Sequence, residues 1–170
     1  MTPIETERKF LIYMPDLKHL ETQDGVRIKY IEQTYLISDT GKNARVRKIE
    51  ENGEIKFVKT VKERISVLSA YENESEISES TYIKELENAD TSKKTIVKTR
   101  FCIPFEHHII EIDVYPFWSD RAILEIELSD ESESFSLPDF IRVIKEVSED
   151  KRYKNTKLAE SIPMDNIPLI

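Results

Sequence analysis

Pairs of like-charged residues recur along this sequence at a spacing of two. In the first of them, Glu5 and Glu7, the same spacing then continues to Lys9. Alternate residues of a β-strand point to the same face, so each pair would place two like charges on one side of a strand. The acidic pairs are Glu5/Glu7, Glu72/Glu74, Glu111/Asp113 and Glu125/Glu127, and the basic positions are Lys9, Arg45, Arg47, Lys62, Lys98 and Arg100.

These two sets suit a particular chemistry if they face each other. Hard divalent cations bind several carboxylate oxygens, whereas a triphosphate binds Arg and Lys donors. A cation between the sets would bridge carboxylates and phosphate oxygens, lower the pKa of a bound water and neutralise charge in the transition state. The alternative is the solvated face of an open antiparallel sheet, where alternating charge is common. Segregation by sign over seven strands favours the first interpretation.

The alternation predicts about eight strands, and they must position these side chains. Their expected ranges are 4–13, 29–38, 43–50, 54–62, 68–77, 94–103, 108–115 and 121–128. Helices are expected at 78–89 and 137–147, with a helical turn at 154–160 and an aperiodic tail at 161–170. The other faces of the late strands are apolar. We therefore expect a barrel with a charged lumen and an apolar outer wall that is partly covered by helices.

Composition narrows the class of protein. The chain has 170 residues, 34% of them charged, and a formal net charge of −8. This length fits one domain, 1–170, with a core at about 4–163. The acidic balance argues against a nonspecific nucleic-acid or membrane-surface binder. Cys102 is the only cysteine, so an internal disulfide is excluded, and no long apolar run or secretion signal is visible. We expect a cytoplasmic protein.

The segment Glu5-Thr6-Glu7-Arg8-Lys9-Phe10 resembles the E-x-E-x-K signature of the CYTH domain, or triphosphate tunnel metalloenzyme, superfamily. Seven later segments resemble further elements of that superfamily, in the same order. They are Gln33-Thr34-Tyr35-Leu36, Ala44-Arg45-Val46-Arg47, Thr60-Val61-Lys62, Lys98-Thr99-Arg100, Glu111-Ile112-Asp113, Leu124-Glu125-Ile126-Glu127 and the stretch 147–155. The resemblance covers about residues 4–163 and is nearest to small bacterial inorganic tripolyphosphatases.

The resemblance implies an α+β, mainly β fold with an eight-stranded antiparallel closed barrel. It also implies Mg²⁺- or Mn²⁺-dependent hydrolysis of a linear triphosphate, foremost tripolyphosphate to pyrophosphate and phosphate, with nucleoside triphosphates as further substrates. A class IV-type adenylate cyclase, a thiamine triphosphatase and a noncatalytic polyphosphate- or nucleotide-binding module remain alternatives. The expected partner is a small triphosphate, without nucleic acid or membrane, and a homodimer is left open.

Residue roles follow from the same resemblance. The expected metal ligands are Glu5, Glu7, Glu72, Glu74, Glu111, Asp113, Glu125 and Glu127. The expected triphosphate-binding residues are Lys9, Arg45, Arg47, Lys62, Lys98, Arg100, Lys151, Arg152 and Lys154. The expected catalytic residues are Glu5, Glu7, Lys9, Tyr35, Glu111 and Asp113.

One position departs from the superfamily pattern. An Arg usually stands shortly before the acidic pair of the fifth strand, and the matching residue here is Ala70. Either Arg64, or Lys59 with Lys62, could compensate for the missing phosphate contact. A different preferred substrate is the other explanation, and the departure also keeps the noncatalytic alternative open.

Overall fold

The structure is a computed structural model that describes residues 4–169. The strands in this part of the chain are β1 (Ile4–Tyr13), β2 (Arg27–Leu36), β3 (Asn43–Glu51), β4 (Glu54–Arg64), β5 (Ser69–Ile77), β6 (Ile96–Phe105), β7 (His108–Val114), β8 (Arg121–Leu128) and β9 (Val143–Glu146). The helices are α1 (Leu17–Glu21), α2 (Glu79–Leu86) and α3 (Asn155–Leu158), with a 3-10 turn at Lys151–Tyr153.

Strands β1 to β8 form a closed antiparallel barrel, which confirms the predicted fold class. Their order around the barrel is β5-β4-β3-β2-β6-β7-β8-β1. The barrel closes where β1 returns to β5, and Ile4, Glu5 and Thr6 pair there with Tyr71, Ala70 and Ser69. The Thr6 and Ser69 hydroxyls also form a buried hydrogen bond of 2.8 Å across this seam. Closure places one face of every strand inside the barrel.

The ninth strand replaces a predicted helix, so the prediction for 137–147 is wrong. β5 pairs with β1 only as far as Thr6, and β9 takes up the same edge of β1 from Phe10 to Ile12. Unpaired backbone groups on a strand edge need partners, and the β-branched Val143 and Ile144 favour an extended chain. The helix-like spacing of this segment therefore reflects apolar contacts with two different parts of the barrel.

The apolar outer wall is covered mainly by loops and one short helix. Phe10, Ile112 and Leu124 belong to its buried cluster, against which Phe135 and Phe140 of the 129–142 loop pack. Helix α1, which the sequence analysis missed, adds Leu20 to this cluster and is capped by the Asp16 carboxylate. The predicted helix at 78–89 is present as α2, Glu79–Leu86. None of the helices in the described part of the chain is long and apolar enough to cross a membrane.

One end of the barrel interior is filled by an apolar plug. Leu11 and Ile123 lie on the inward faces of β1 and β8, and they pack in one buried cluster with Val147, Tyr153 and Leu158. Val147 and Tyr153 lie between β9 and α3, and Leu158 is the last residue of α3. The C-terminal segment thus fills part of this end of the lumen, and the charged side chains occupy the remainder.

Candidate active site

The charged pairs of β1, β3, β5, β6 and β8 share one interior space. Their side chains line two connected cavities, and seven residues border both. The shared residues are Glu5, Glu7, Arg45, Arg47, Arg100, Glu111 and Glu125. The alternation therefore predicted correctly which face of each strand points inward.

The two cavities differ in charge away from this shared zone. The larger has a volume of about 580 Å³ and opens at what we call the acidic mouth, bordered by Glu72, Glu74, Glu127 and Glu133. The smaller opens at what we call the basic mouth, which borders the plug. Every charged residue that lines only this smaller cavity is a cation: Lys9, Lys62, Arg64, Lys98 and Lys154. The charge of the lining residues therefore changes along the lumen, from negative at the acidic mouth to positive at the basic mouth.

Arg100 organises the deepest part of the lumen. It donates from Nε to Asp113 Oδ1 at 2.6 Å and from Nη2 to Glu125 Oε2 at 2.9 Å. A further bond from Nη1 reaches Glu111. Lys98 donates to the same Asp113 at 2.6 Å, although both of these side chains are almost completely excluded from solvent. Such burial is tolerable because Asp113 has two cationic partners and Arg100 has three carboxylate partners.

These contacts shift the pKa values of the buried groups. Burial would raise the pKa of Asp113, but Arg100 and Lys98 outweigh it and lower this pKa. Burial, reinforced by the neighbouring Arg100, lowers the pKa of Lys98 to about 8. Burial also acts to raise the pKa of Glu125, yet Lys9 at 2.8 Å and Arg100 hold it well below its usual range. Asp113 and Glu125 are therefore ionised at neutral pH.

The second group of ion pairs lies toward the closing seam. Lys62 contacts Glu5, and it lies 3.8 Å from Glu7 and 3.3 Å from Glu72. In the same way, Arg47 of β3 contacts Glu74 of β5. A single lysine thus holds three carboxylates close to one another.

Glu127 has no ion-pair partner among residues 4–169, unlike Glu5 and Glu125. Its pKa is raised by partial burial and then by the negative charges of Glu5 and Glu111. The pKa of Glu5 is also raised, mainly by burial and against the effect of Lys62. Glu127 is therefore a carboxylate of the acidic mouth that no cation of the described residues neutralises.

Two arginines on β3 retain donors without acceptors. The Nε atoms of Arg45 and Arg47 are buried and have no hydrogen-bond partner in the described part of the chain. Burial and the nearby Arg45 lower the pKa of Arg47 to about 10. A buried, unsatisfied guanidinium N–H is costly, and an anion in the lumen would satisfy it.

The carboxylates of the shared zone and of the adjoining acidic mouth fit a hard divalent cation by their donor chemistry. Glu5, Glu7, Glu72, Glu111 and Glu127 offer only oxygen ligands, which Mg²⁺ and Mn²⁺ prefer. Within residues 4–169, no three acidic, His or Cys side chains already stand in a coordinating arrangement. The reason is visible in the ion pairs, since Lys62 and Arg100 occupy several of these carboxylates.

Comparisons with known proteins agree with this architecture. No family model and no curated protein sequence matches the chain. Among solved structures, the inorganic triphosphatase NE1496 is 28% identical with a TM-score of 0.56, over 94% of this chain and 96% of that one. A second structure, described as the hypothetical protein NE1496, has a TM-score of 0.57 at the same identity, over 94% and 99% of the two chains. The chain is thus similar in fold to a protein described as an inorganic triphosphatase, in agreement with the resemblance to the CYTH, or triphosphate tunnel, superfamily.

A solved structure with lower sequence identity supports the fold alone. PH1819 from Pyrococcus horikoshii OT3 is 22% identical with a TM-score of 0.56, over 74% of this chain and 80% of that one. Together these neighbours confirm the closed CYTH-like barrel that the sequence pattern predicted.

The position that departs from the superfamily pattern lies at the seam. Ala70 is fully buried and pairs across the sheet with Glu5 of β1 and with Arg64 of β4. The other predicted compensators already have carboxylate partners: Lys62 contacts or lies near three carboxylates, and Lys59 contacts Glu85.

Most of the predicted site residues of this CYTH-like barrel border the lumen. Three do not. Asp113 is completely buried behind Arg100, while Arg152 pairs with Asp150 and Asp165 on the outside. Lys151 borders the same surface depression as Arg152, because the 3-10 turn points Tyr153 into the plug and these two side chains outward.

Ser148 and Asn155 are among the lining residues that were not assigned a role from the sequence. Ser148 Oγ accepts a 2.9 Å hydrogen bond from the backbone N–H of Lys9, and Asn155 Oδ1 accepts one of 2.6 Å from the Tyr115 hydroxyl. Both belong to the segment that follows β9. Their place in the superfamily-like stretch 147–155 was visible, but their contacts depend on how this segment closes the barrel.

Proposed function

We propose that this chain is a metal-dependent triphosphatase that hydrolyses a linear triphosphate, with inorganic tripolyphosphate as the leading substrate. The observation that carries the proposal is the unsatisfied Nε donors of Arg45 and Arg47, which lie in the same lumen as the unpaired carboxylate of Glu127. The similarity to a protein described as an inorganic triphosphatase, at 28% identity over 94% of the chain, supports it.

In this proposal, the phosphate groups of the substrate replace lumen carboxylates as partners of the lumen cations. The lumen cations Lys9, Lys62 and Arg47 contact carboxylates, and phosphate oxygens would compete for the same donors. Arginine suits this role because its planar fork binds two phosphate oxygens at once, whereas lysine acts as a point charge. Carboxylates released from Lys62 would then be available at the acidic mouth.

Glu5, Glu7, Glu72, Glu111 and Glu127 would hold Mg²⁺ or Mn²⁺ there. A bound divalent cation supplies charge neutralisation at phosphate oxygens and lowers the pKa of an attacking water. We assign Asp113 a positioning role, since both its oxygens already accept bonds from Arg100 and Lys98. Glu111 faces the lumen, and its one ion pair within residues 4–169 is with Arg100, so it is the better candidate to orient water.

A substrate panel tests the proposal directly. Phosphate release is measured from tripolyphosphate, ATP and thiamine triphosphate, each with Mg²⁺ and with Mn²⁺. We expect metal-dependent orthophosphate release, which Glu5→Gln and Glu127→Gln each abolish almost completely while the protein stays folded. Glu32→Gln is the matched control, because Glu32 is exposed and lies outside both lumen cavities.

The products distinguish the alternatives. A cyclase would release pyrophosphate with a cyclic nucleotide, and a noncatalytic module would bind tripolyphosphate without turnover under either metal. Full activity in both lumen variants would contradict the proposed function.

A further inference from the structure

The cations of the basic mouth divide into two groups. Lys9 and Lys62 each contact carboxylates of the lumen. Arg64 and Lys154 border the same cavity, yet neither has an ion-pair partner among residues 4–169. Side chains with like charge and no counter-charge repel one another, so an anion between them would be stabilised.

Arg64 borders the basic mouth because β4 ends at this mouth. It is the last residue of β4 and has the same inward parity as Lys62. Its cross-strand neighbour on β5 is Ala70, whose methyl group leaves the guanidinium without a side chain opposite it. Arg64 donates from Nη1 to the Val67 carbonyl at 3.0 Å, which leaves further N–H groups of the fork for a ligand.

Lys154 borders the same cavity from the segment between β9 and α3. Its pKa is lowered by burial first and then by the positive charges of Arg64 and Lys9, which outweigh the opposing effect of Glu7. Three cations from β1, β4 and the C-terminal segment are thus close enough to repel at one opening of the lumen.

We propose that Arg64, together with Lys154, forms an anion subsite at the basic mouth that binds the terminal phosphate of the substrate chain. The acidic mouth disfavours that end, so the chain would extend from the shared zone toward the cations. This inference rests on the proposed function and deepens it, because it makes Arg64 a binding residue. The competing account is that Arg64 only fastens the 65–68 turn through Val67.

Binding without turnover provides the test. Isothermal titration of metal-free protein with tripolyphosphate compares the unmodified chain, Arg64→Gln and Arg142→Gln. Arg142 is a matched control, since it is also exposed and lacks a carboxylate partner among residues 4–169, but it stacks on Tyr13 outside the cavity. We expect Arg64→Gln to weaken tripolyphosphate binding roughly tenfold. This change is at the lower end of the range for losing a charge-assisted hydrogen bond, because Arg64 is exposed. Arg142→Gln should change it less than about twofold.

Equal affinities in the two variants would overturn the subsite. A third variant, Arg64→Lys, separates the effect of the positive charge on ligand binding from the effect of the hydrogen bond that stabilises the 65–68 turn. We expect it to keep binding within about threefold of the unmodified chain, as a retained point charge should. If Arg64→Lys and Arg64→Gln lose affinity and thermal stability to the same extent, the turn account replaces the proposal.

The outcome for the subsite is separable from that for catalysis. Tripolyphosphate binding that depends on Arg64 without any hydrolysis would leave the subsite standing and refute the proposed function. If the protein hydrolyses tripolyphosphate but Arg64→Gln leaves the KM and the dissociation constant unchanged, the proposed function stands and the subsite is refuted.

Discussion

Arg100 donates to both carboxylate oxygens of Asp113, with Nε 2.6 Å from Oδ1 and Nη2 2.7 Å from Oδ2. Lys98 shares this carboxylate, and Asp113 is completely excluded from solvent. The fork fixes the direction of the guanidinium, whose third nitrogen, Nη1, donates to Glu111 beside the lumen. A buried acid that cannot itself reach a ligand therefore sets the position of the central lumen cation.

Removal of this carboxylate should destabilise the fold strongly. Asp113→Asn leaves Lys98 and Arg100 without their buried counter-charge, and breaking such a pair costs about 3–5 kcal/mol. Urea unfolding monitored by circular dichroism measures the loss. Asp24→Asn, at an exposed position, should shift the unfolding free energy by less than about 0.5 kcal/mol. Equal midpoints for the two variants would show that Asp113 does not hold the lumen together.

Neutralising Glu127 should have opposite effects on stability and activity. Glu127 lacks a cation partner among the described residues and its pKa is raised by burial and by Glu5 and Glu111, so its charge opposes folding at neutral pH. Glu127→Gln should therefore raise the melting temperature of the metal-free protein by a few degrees while phosphate release is lost. A lowered melting temperature would indicate that this carboxylate is stabilised by contacts other than those described.

Divalent metal should stabilise the protein through the acidic mouth. Saturation at 100 times the dissociation constant corresponds to about 2.7 kcal/mol, or roughly 5–10 °C for a chain of this size. Differential scanning fluorimetry with Mg²⁺ or Mn²⁺ measures the shift, and a chelator should reverse it. Glu5→Gln should reduce the shift, whereas Glu32→Gln should not. No shift in the unmodified chain with either metal would contradict a metal site there.

The C-terminal tail should detach as the pH falls. Asp165 accepts bonds from Arg152, Tyr153 and Lys145, and these contacts, led by Arg152, lower its pKa from 3.8 to about 2. A pKa that is lower in the folded chain means that ionised Asp165 stabilises the fold above pH 3.8. This contribution is lost as the pH falls toward about 2.

Fluorescence of Trp118, the only tryptophan, reports on this contact, because its Nε1 donates to the Pro163 carbonyl at 3.3 Å. Asp165→Asn should alter the emission at pH 7, and the difference from the unmodified chain should narrow toward pH 2. Asp139→Asn, at an exposed position, serves as the control. A difference that persists unchanged at low pH would exclude ionisation of Asp165 as the cause.

Local alternation predicted the strands well because side-chain direction along a strand depends only on the strand itself. β1 and β8 have the predicted bounds, and the other barrel strands differ by one or two residues at either end. The helix predicted for 137–147 was wrong because the spacing of apolar residues was also interpreted from the local sequence alone. Phe140 packs on the outer wall and Val147 in the plug, so its apolar spacing records two surfaces and not one helical face.

The sequence by itself determined which residues face the lumen and which chemistry they suit, since period-two alternation and charge type are local properties. Only the tertiary structure decided which charges meet. Arg64 lies opposite Ala70, and Lys62 gathers Glu5 and Glu72, because the register of β1, β4 and β5 brings together residues that are far apart in the chain. The acidic and basic mouths likewise arise from closure of the barrel and from the C-terminal segment across one end. Strand register and closure depend on contacts distributed over the whole chain, and no local pattern contains them.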